Sequence, residues 1–113
     1  MQSFNIELSG SDYAVLGMAI RYILNSDILY EYSQTNAQYK LNRNLAKNLQ
    51  TKLKKKNNSL NKEDLRMLVI SITAFDDFLH HASSELPPGT IATCTKLLSE
   101  LKPKISKFEA FLI

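Results

Sequence analysis

The sequence has only one cysteine, three glycines and three prolines among its 113 residues. The single cysteine, Cys94, cannot form a disulfide within the chain and lacks the companion thiolates of a structural zinc site. The scarcity of glycine and proline leaves few breaks, which favours long helices over a sheet of many strands. This length suits one hydrophobic core, so we predict a single domain over residues 1–113.

Long apolar runs and basic N-terminal residues are also missing. The longest apolar run, from Ala14 to Ile20, ends at Arg21. It is far shorter than the roughly 18 residues of a candidate membrane span. No basic residue precedes the first apolar stretch, which is not the pattern of a secretory signal. We therefore expect a cytoplasmic protein without a membrane span.

Apolar residues recur with helical spacing along most of the chain, and polar clusters separate the helical segments. Phe4, Ile6 and Leu8 alternate with polar residues, which predicts an extended arm over residues 1–10. Thr90 is the expected N-cap of the last helix, which we expect to continue past Pro103 with a kink. The fold class is then all-α, a four-helix bundle of two helical hairpins, with helices at about 12–32, 38–56, 61–86 and 90–110.

The two predicted hairpins have similar apolar patterns. When Tyr13 is aligned with Leu65, the same shift aligns further apolar positions: Leu16, Ile20, Ile23, Leu45, Leu49 and Leu53 with Leu68, Ile72, Phe75, Leu97, Leu101 and Ile105. An internal duplication would produce this pattern. Any two amphipathic hairpins of similar length would also align in this way, so both interpretations stay open.

The first and third predicted helices are apolar on two sides. Their second stripes are Val15, Met18, Tyr22 and Leu29 in one helix and Met67, Ile70, Ala74 and Phe78 in the other. A helix that is apolar on both sides must be covered on both sides, or it exposes a patch that monomers usually avoid. The N-terminal arm and the C-terminal residues 111–113 are one possible cover. Our preferred hypothesis is that another polypeptide binds there, most simply a second copy in a homodimer.

Positive charge is concentrated in the middle of the chain. Residues 40–66 have a net charge of +7, whereas the segments before and after have −3 and −1. We define the basic patch as Arg43, Lys47, Lys52, Lys54, Lys55, Lys56, Lys62 and Arg66. Such a patch can bind phosphates through Coulomb attraction and counterion release. The lack of aromatic residues among the lysines argues against nucleic acid, and solvated charge, anionic lipid or an acidic protein are alternatives.

No catalytic motif is present, so we do not expect an enzyme or a cofactor. His80 and His81 follow Asp76 and Asp77, but this group lacks the ligands of a complete metal site. Asp27 and Asp76 fall on apolar stripes and are predicted to be buried polar residues that fix the register of the bundle. Cys94 is predicted to be a small buried core residue.

These features predict a non-catalytic helical bundle that binds a protein partner. The predicted partner-binding residues are Val15, Met18, Tyr22, Leu29, Met67, Ile70 and Phe78. A small regulatory, inhibitor or immunity-type role fits this description. The alternative prediction is a nucleic-acid-binding bundle that uses the basic patch.

Overall fold

A computed structural model describes residues 3–81 and 86–108 of the protein. Of these described residues, 75% are helical, in five compactly packed helices, which confirms the all-α prediction. The helices are α1 (Gly10–Leu24), α2 (Ile28–Glu31), α3 (Asn36–Lys54), α4 (Lys62–His81) and α5 (Pro88–Ser106). The two short strands are β1 (Phe4–Asn5) and β2 (Ser59–Leu60).

The first predicted helix is interrupted, and the prediction of one helix over 12–32 is wrong. α1 ends at Leu24, and the single turn of α2 begins at Ile28. Asn25, Ser26 and Asp27 lie between them, and such side chains offer the backbone hydrogen bonds that compete with a helix. The Ser26 hydroxyl indeed accepts a hydrogen bond from the Ile28 amide at 3.4 Å.

Local polar side chains fix the start of three helices. In α1, the Ser9 hydroxyl accepts from the Asp12 amide at 3.1 Å, and the Ser9 amide donates to the Asp12 carboxylate at 2.9 Å. Asn61 and Asp64 make the corresponding pair of hydrogen bonds at the start of α4, at 2.8 and 3.0 Å. Each reciprocal pair satisfies amides that a helix terminus leaves without partners. Thr35 caps α3 by accepting from the Gln38 amide at 3.1 Å.

The last helix starts earlier than predicted and continues through its internal proline. α5 begins at Pro88, not after a cap at Thr90. Proline suits the first turn of a helix because the amide hydrogen that it lacks has no intrahelical acceptor there. The helix includes Pro103 and ends at Ser106. The residues up to 110 that we predicted to be helical are described only as far as 108.

The N-terminal arm pairs with a strand of the same chain. β1 and β2 are antiparallel, with Phe4 opposite Leu60 and Asn5 opposite Ser59. The arm therefore has a partner strand within the same chain. The residues before α4, which we predicted only as a break between helices, provide that strand. The Asn58 side-chain amide also donates to the Ile6 carbonyl at 3.0 Å.

α1 and α4 are the central helices of the fold. They contact each other, and both also contact α3 and α5. One continuous hydrophobic cluster includes side chains from all four of these helices and from the arm. This arrangement explains why α1 and α4 are apolar on two sides: the protein's own helices pack against both.

Burial and helix boundaries recur along the chain at one constant separation. The separation is 52 residues, the same as between Ile6 and Asn58. It relates the start of α1 to the start of α4, and both ends of α3 to both ends of α5. Every buried position of α1 and α3 also has a buried counterpart at this separation. The pairs are Asp12/Asp64, Val15/Met67, Leu16/Leu68, Ala19/Ser71, Ile20/Ile72, Ile23/Phe75, Asn42/Cys94, Ala46/Leu98, Leu49/Leu101 and Leu53/Ile105.

Candidate binding surfaces

Most of the predicted partner-binding residues are inside the protein. Val15, Leu29, Met67 and Ile70 are all buried within one chain, as is Ala74. The prediction that these side chains lie on an exposed face is therefore wrong. It failed because neighbouring helices of the same chain cover the second stripes. Residues 111–113, the C-terminal part of the alternative cover, lie outside the described residues.

Three of the predicted residues remain at the surface and lie together. Met18 is 38% exposed, whereas Tyr22 and Phe78 are half-buried. The Tyr22 and Phe78 rings stack with their centroids 4.6 Å apart. These three side chains line a depression of about 340 Å³, whose other walls are Arg21, Asn25, Ser26, Phe75 and Leu86. We call this surface the Met18 groove.

The Met18 groove continues toward the start of α5. Met18 also lines a second depression, of about 640 Å³, between α1 and α5. Its walls are Ala14, Val15, Pro87, Gly89, Thr90, Thr93, Cys94 and Leu97. Cys94 is buried, and this burial raises the pKa of its thiol. The predicted core position of Cys94 is therefore confirmed, and its side chain lines this second depression.

The buried carboxylates are not the ones that we predicted. Asp27 is exposed, and Asp76 is only partly buried, with an ion pair to Lys102 at 2.8 Å. The Asp27 prediction is wrong because it assumed a continuous helix through a position that follows the break after α1. Among the residues that the structure describes, the buried carboxylates are Asp12 and Asp64, at the two reciprocal caps.

Each buried carboxylate has one lysine partner from a distant part of the chain. Lys104 of α5 donates to Asp12 at 2.6 Å, and Lys52 of α3 forms an ion pair with Asp64. Burial alone would raise the pKa of Asp12, but hydrogen bonds from Lys104 and Ser9 and the charge of Lys104 lower it below its ordinary value. These ion pairs therefore connect each cap to an outer helix. They form structural contacts and not an acid–base pair in a cleft.

Three members of the basic patch make internal contacts. Besides Lys52, Arg66 binds Glu63 at 3.0 Å and the Asn42 side chain at 3.2 Å. Arg43 donates to the Leu24 carbonyl at 2.9 Å, which ties α3 to the end of α1. These three side chains therefore stabilise the fold, and the patch is not one uniform surface.

The other members of the basic patch are free of ion pairs. Within the described residues, no carboxylate pairs with Lys47, Lys54, Lys55, Lys56 or Lys62, and all five are exposed. Lys47 and Lys54 lie on the side of α3 that faces away from the core. Lys40, which our prediction omitted, is on the same side, because residues seven apart are separated by nearly two full helical turns. We call the exposed side of α3 that contains Lys40, Lys47 and Lys54 the lysine face.

Acidic residues are absent from a long stretch that includes the lysine face. Residues 32–62 contain eight lysines and arginines and no aspartate or glutamate. The other exposed residues of this side include Asn44, Asn48 and Thr51. A row of ammonium groups next to neutral amides and a hydroxyl offers hydrogen-bond donors for phosphate oxygens, and α3 itself contributes no carboxylate that would repel them.

An aromatic stack lies beside the lysine face, and sequence reasoning missed it. The Tyr30 and Tyr39 rings are nearly parallel, at 6°, with centroids 3.8 Å apart. The Arg43 guanidinium lies 5.9 Å from the centre of the Tyr39 ring. Tyr30 remains 51% exposed. The break before α2 brings Tyr30 back to α3, so the objection that the basic segment lacks aromatic residues no longer applies.

The two histidines are exposed side chains near the end of α4. The His80 and His81 Nδ1 atoms lie 2.7 and 2.8 Å from the backbone carbonyls of Asp76 and Asp77. Within residues 3–81 and 86–108, no three histidine, cysteine, aspartate or glutamate side chains are grouped closely enough to hold a metal ion. In the same residues, no helix is both long and apolar enough to cross a lipid bilayer.

Comparisons with protein-family models, with curated protein sequences and with solved structures found no match for this chain. The functional interpretation therefore depends on the surfaces themselves.

Proposed function

We propose that this protein acts by binding and not by catalysis, and that its lysine face binds the phosphate backbone of nucleic acid. The observation that supports this proposal most directly is the absence of acidic residues over residues 32–62. In addition, no carboxylate among the described residues forms an ion pair with the exposed lysines of α3. Lysines on a protein surface are commonly interspersed with acids, which reduces mutual repulsion. A surface that keeps only one sign of charge attracts a polymer of the opposite sign.

The second half of the chain provides an internal reference for this surface. The positions of α5 that correspond to Lys40, Lys47 and Lys54 are Ala92, Ser99 and Ser106, at the separation that relates the two halves. The buried positions match at that separation, but the lysines do not. The packing of the fold therefore does not require these lysines, and a ligand that contacts only the α3 side would account for them.

Counterion release makes this proposal measurable. A protein that neutralises several phosphates loses affinity as the salt concentration rises. The logarithm of its binding constant falls linearly with the logarithm of the salt concentration, by about 0.9 per phosphate contact for duplex and about 0.7 for single strands. We would measure the binding of a labelled 20-nucleotide DNA and RNA by fluorescence anisotropy between low and moderate salt. The double variant K47E/K54E should reduce the slope by about 2 and weaken binding uniformly across sequences.

A matched variant controls for net charge. K96E/K107E removes the same charge from exposed lysines in or just after α5 and should leave nucleic-acid binding nearly unchanged. Equal losses in the two double variants would mean that only overall charge matters, which would contradict a site on α3. Absence of binding at low salt, or binding of anionic vesicles instead of nucleic acid, would overturn the proposal.

The Met18 groove supports a second candidate function, the predicted homodimer. Met18 is 38% exposed, whereas Ile70, the corresponding residue of α4, is 8% exposed. The groove therefore has an exposed apolar residue at a position whose counterpart in α4 is buried. We propose a second copy of the chain as its occupant, because a twofold contact would cover the groove on both molecules at once.

Analytical ultracentrifugation over a range of concentrations tests this second candidate. The unmodified chain should self-associate, M18D should be a monomer with an unchanged helical content, and M18L should behave as the unmodified chain. A monomer at all concentrations for the unmodified chain would rule out the homodimer. Nucleic-acid binding by that monomer would leave the first proposal intact.

We also propose that the scaffold is a four-helix bundle formed by internal duplication of a helical hairpin. Matching helix boundaries, ten matching buried pairs and matching reciprocal caps support this proposal. The ion pairs also match between the halves. At the common separation Asp12 corresponds to Asp64 and Lys52 corresponds to Lys104, so the Asp12–Lys104 pair is the counterpart of the Asp64–Lys52 pair. Two unrelated amphipathic hairpins have no reason to match in this respect.

A further inference from the structure

We propose that the exposed ring of Tyr30 is a stacking site for an unpaired base, so that the nucleic acid bound is single-stranded. This inference rests on the proposed function of the lysine face and specifies its ligand. It is carried by the position, support and exposure of the Tyr30 ring.

The Tyr30 ring is supported from within the protein. It lies 3.8 Å from the Tyr39 ring and nearly parallel to it, so one of its faces is covered. Arg43 approaches Tyr39 at 5.9 Å and is itself held by its hydrogen bond to the Leu24 carbonyl. The Tyr30 backbone is part of the short helix α2. The Ser33 hydroxyl stabilises this helix by donating to the Leu29 carbonyl at 2.7 Å. The ring is thus oriented before a ligand arrives, which reduces the entropy lost on binding.

Among the aromatic residues that the structure describes, only Tyr30 and Tyr32 are exposed, and Tyr30 is the more exposed of the two. It is 51% exposed, whereas the stacked rings Tyr22 and Phe78 are half-buried in the groove and Phe75 is buried. Aromatic rings that lie next to cationic side chains at a surface are the common means by which proteins bind single strands, because every base has a face that can stack. Bases in a duplex are already stacked on both sides and are not available to such a ring.

The location of the stack relative to the lysines also fits a single strand. Tyr39 directly precedes Lys40, the first lysine of the lysine face. Lys40 and Lys54 are fourteen positions apart in or at the end of one helix, which is about 21 Å at 1.5 Å per residue. A strand that stacks one base on Tyr30 can therefore extend its backbone along the lysines. This arrangement combines a stacking platform with an electrostatic track.

The test separates stacking from charge by using three ligands with the same strand length. These are a fluorescein-labelled 20-nucleotide single strand, the same strand in duplex form, and a strand in which the central bases are replaced by abasic sites. We expect the intact single strand to bind about tenfold more tightly than the abasic strand. The Y30A variant should remove most of this difference, whereas Y30F, which keeps the ring, should preserve it.

Tyr32 provides the matched control. It is 42% exposed, lies two residues from Tyr30 and makes no ring contact in the described part of the chain. Y32A should therefore bind like the unmodified protein. Circular dichroism of each variant identifies any loss of helix, and the comparison of intact with abasic strands in the unmodified protein stands even if Y30A does not fold.

The outcomes distinguish this inference from the function on which it rests. Equal binding of the intact, abasic and duplex ligands, with losses in K47E/K54E, would overturn base stacking and keep the phosphate-binding proposal. Preference for the duplex would also overturn it. Binding of none of the three ligands at low salt would overturn both. A preference for the intact single strand that persists in Y30A would place the stacking site elsewhere and contradict the role of Tyr30.

Discussion

The outer sides of α3 and α5 hold corresponding positions in the two halves of the chain but differ in chemistry. α3 presents Lys40, Lys47 and Lys54 and contains no acidic residue, whereas α5 presents Ala92, Ser99 and Ser106 at the corresponding positions. The buried positions of the same two helices match throughout. Packing therefore constrains the inner sides of α3 and α5 in the same way and leaves their outer sides free to differ. An outer surface that is biased toward one charge is therefore a better indicator of function than the core.

The largest expected effect concerns Met18 and Ile70, one pair of corresponding positions at which the central helices α1 and α4 differ in burial. I70D places a charge where the side chain is 8% exposed, whereas M18D places it at a position that is 38% exposed. A buried charge without a partner costs several kcal/mol, so we expect I70D to lose about 4 kcal/mol of unfolding free energy or to fail to fold. M18D should lose less than about 1 kcal/mol. Urea denaturation measures both.

This pair also decides how the second stripes are covered. If I70D folded as well as M18D and gave a monomer, Ile70 would belong to a surface between molecules and not to the core of one. That result would restore the dimer interface in the form in which the sequence predicted it.

The next effect tests whether the two reciprocal caps are equivalent. D12A removes a cap and an ion pair with Lys104, and D64A removes the corresponding cap and the ion pair with Lys52. Loss of a cap and of a charged hydrogen bond should cost about 2 kcal/mol in each variant. D77A, at an exposed carboxylate, should change stability by less than about 0.5 kcal/mol. Thermal or urea unfolding of the three variants gives the comparison.

Unequal losses would sharpen the comparison of the halves. If D12A were severe and D64A mild, one half would be the stable part of the fold and the other would depend on it. Equal losses are expected from a duplicated scaffold.

Much of the fold follows from local patterns, which explains what the sequence predicted well. Helical periodicity and polar breaks are properties of neighbouring residues, so the four long helices are near their predicted positions. The break at 25–27 was missed because apolar residues continue in phase across it. For the same reason the predicted burial of Asp27 is wrong, because it requires an uninterrupted helix.

The candidate surfaces depended on distant contacts and were predicted less well. The sequence pattern at Val15 and Met67 shows that these side chains must be covered. It does not show whether another chain or the protein's own α3 and α5 cover them. The pattern Ser9-x-x-Asp12 suggests a capping box, but its lysine partner is 92 residues away. The Tyr30–Tyr39 stack arises only because α2 turns back toward α3. These features require the arrangement of the helices, which local patterns do not contain.

A smaller effect on stability should appear in acid. Because interactions with Lys104 and Ser9 lower the pKa of Asp12 in the folded protein, its carboxylate stabilises the fold at neutral pH. That contribution is lost as the pH falls through the lowered pKa, at values below the ordinary range for aspartate of about 4. We expect the unfolding free energy of D12N to depend less on pH between about 5 and 2 than that of the unmodified protein. A steeper dependence in D12N would contradict the lowered pKa.

The smallest expected effect separates a binding surface from a structural one. Lys47 and Lys54 have only other cations along their side of α3, so their mutual repulsion opposes folding slightly. K47E/K54E should therefore raise the unfolding free energy by about 0.5 kcal/mol at low salt, and the gain should disappear as salt screens the charges.

K96E/K107E should not show a salt-dependent gain of this kind, because α5 has Glu100 on its exposed surface. If K47E/K54E is more stable than the unmodified protein and binds nucleic acid more weakly, the lysine face lowers the unfolding free energy, and its role is in binding. If K47E/K54E were less stable than the unmodified protein at every salt concentration, the lysines would have a structural role, and the difference between α3 and α5 would no longer indicate a site.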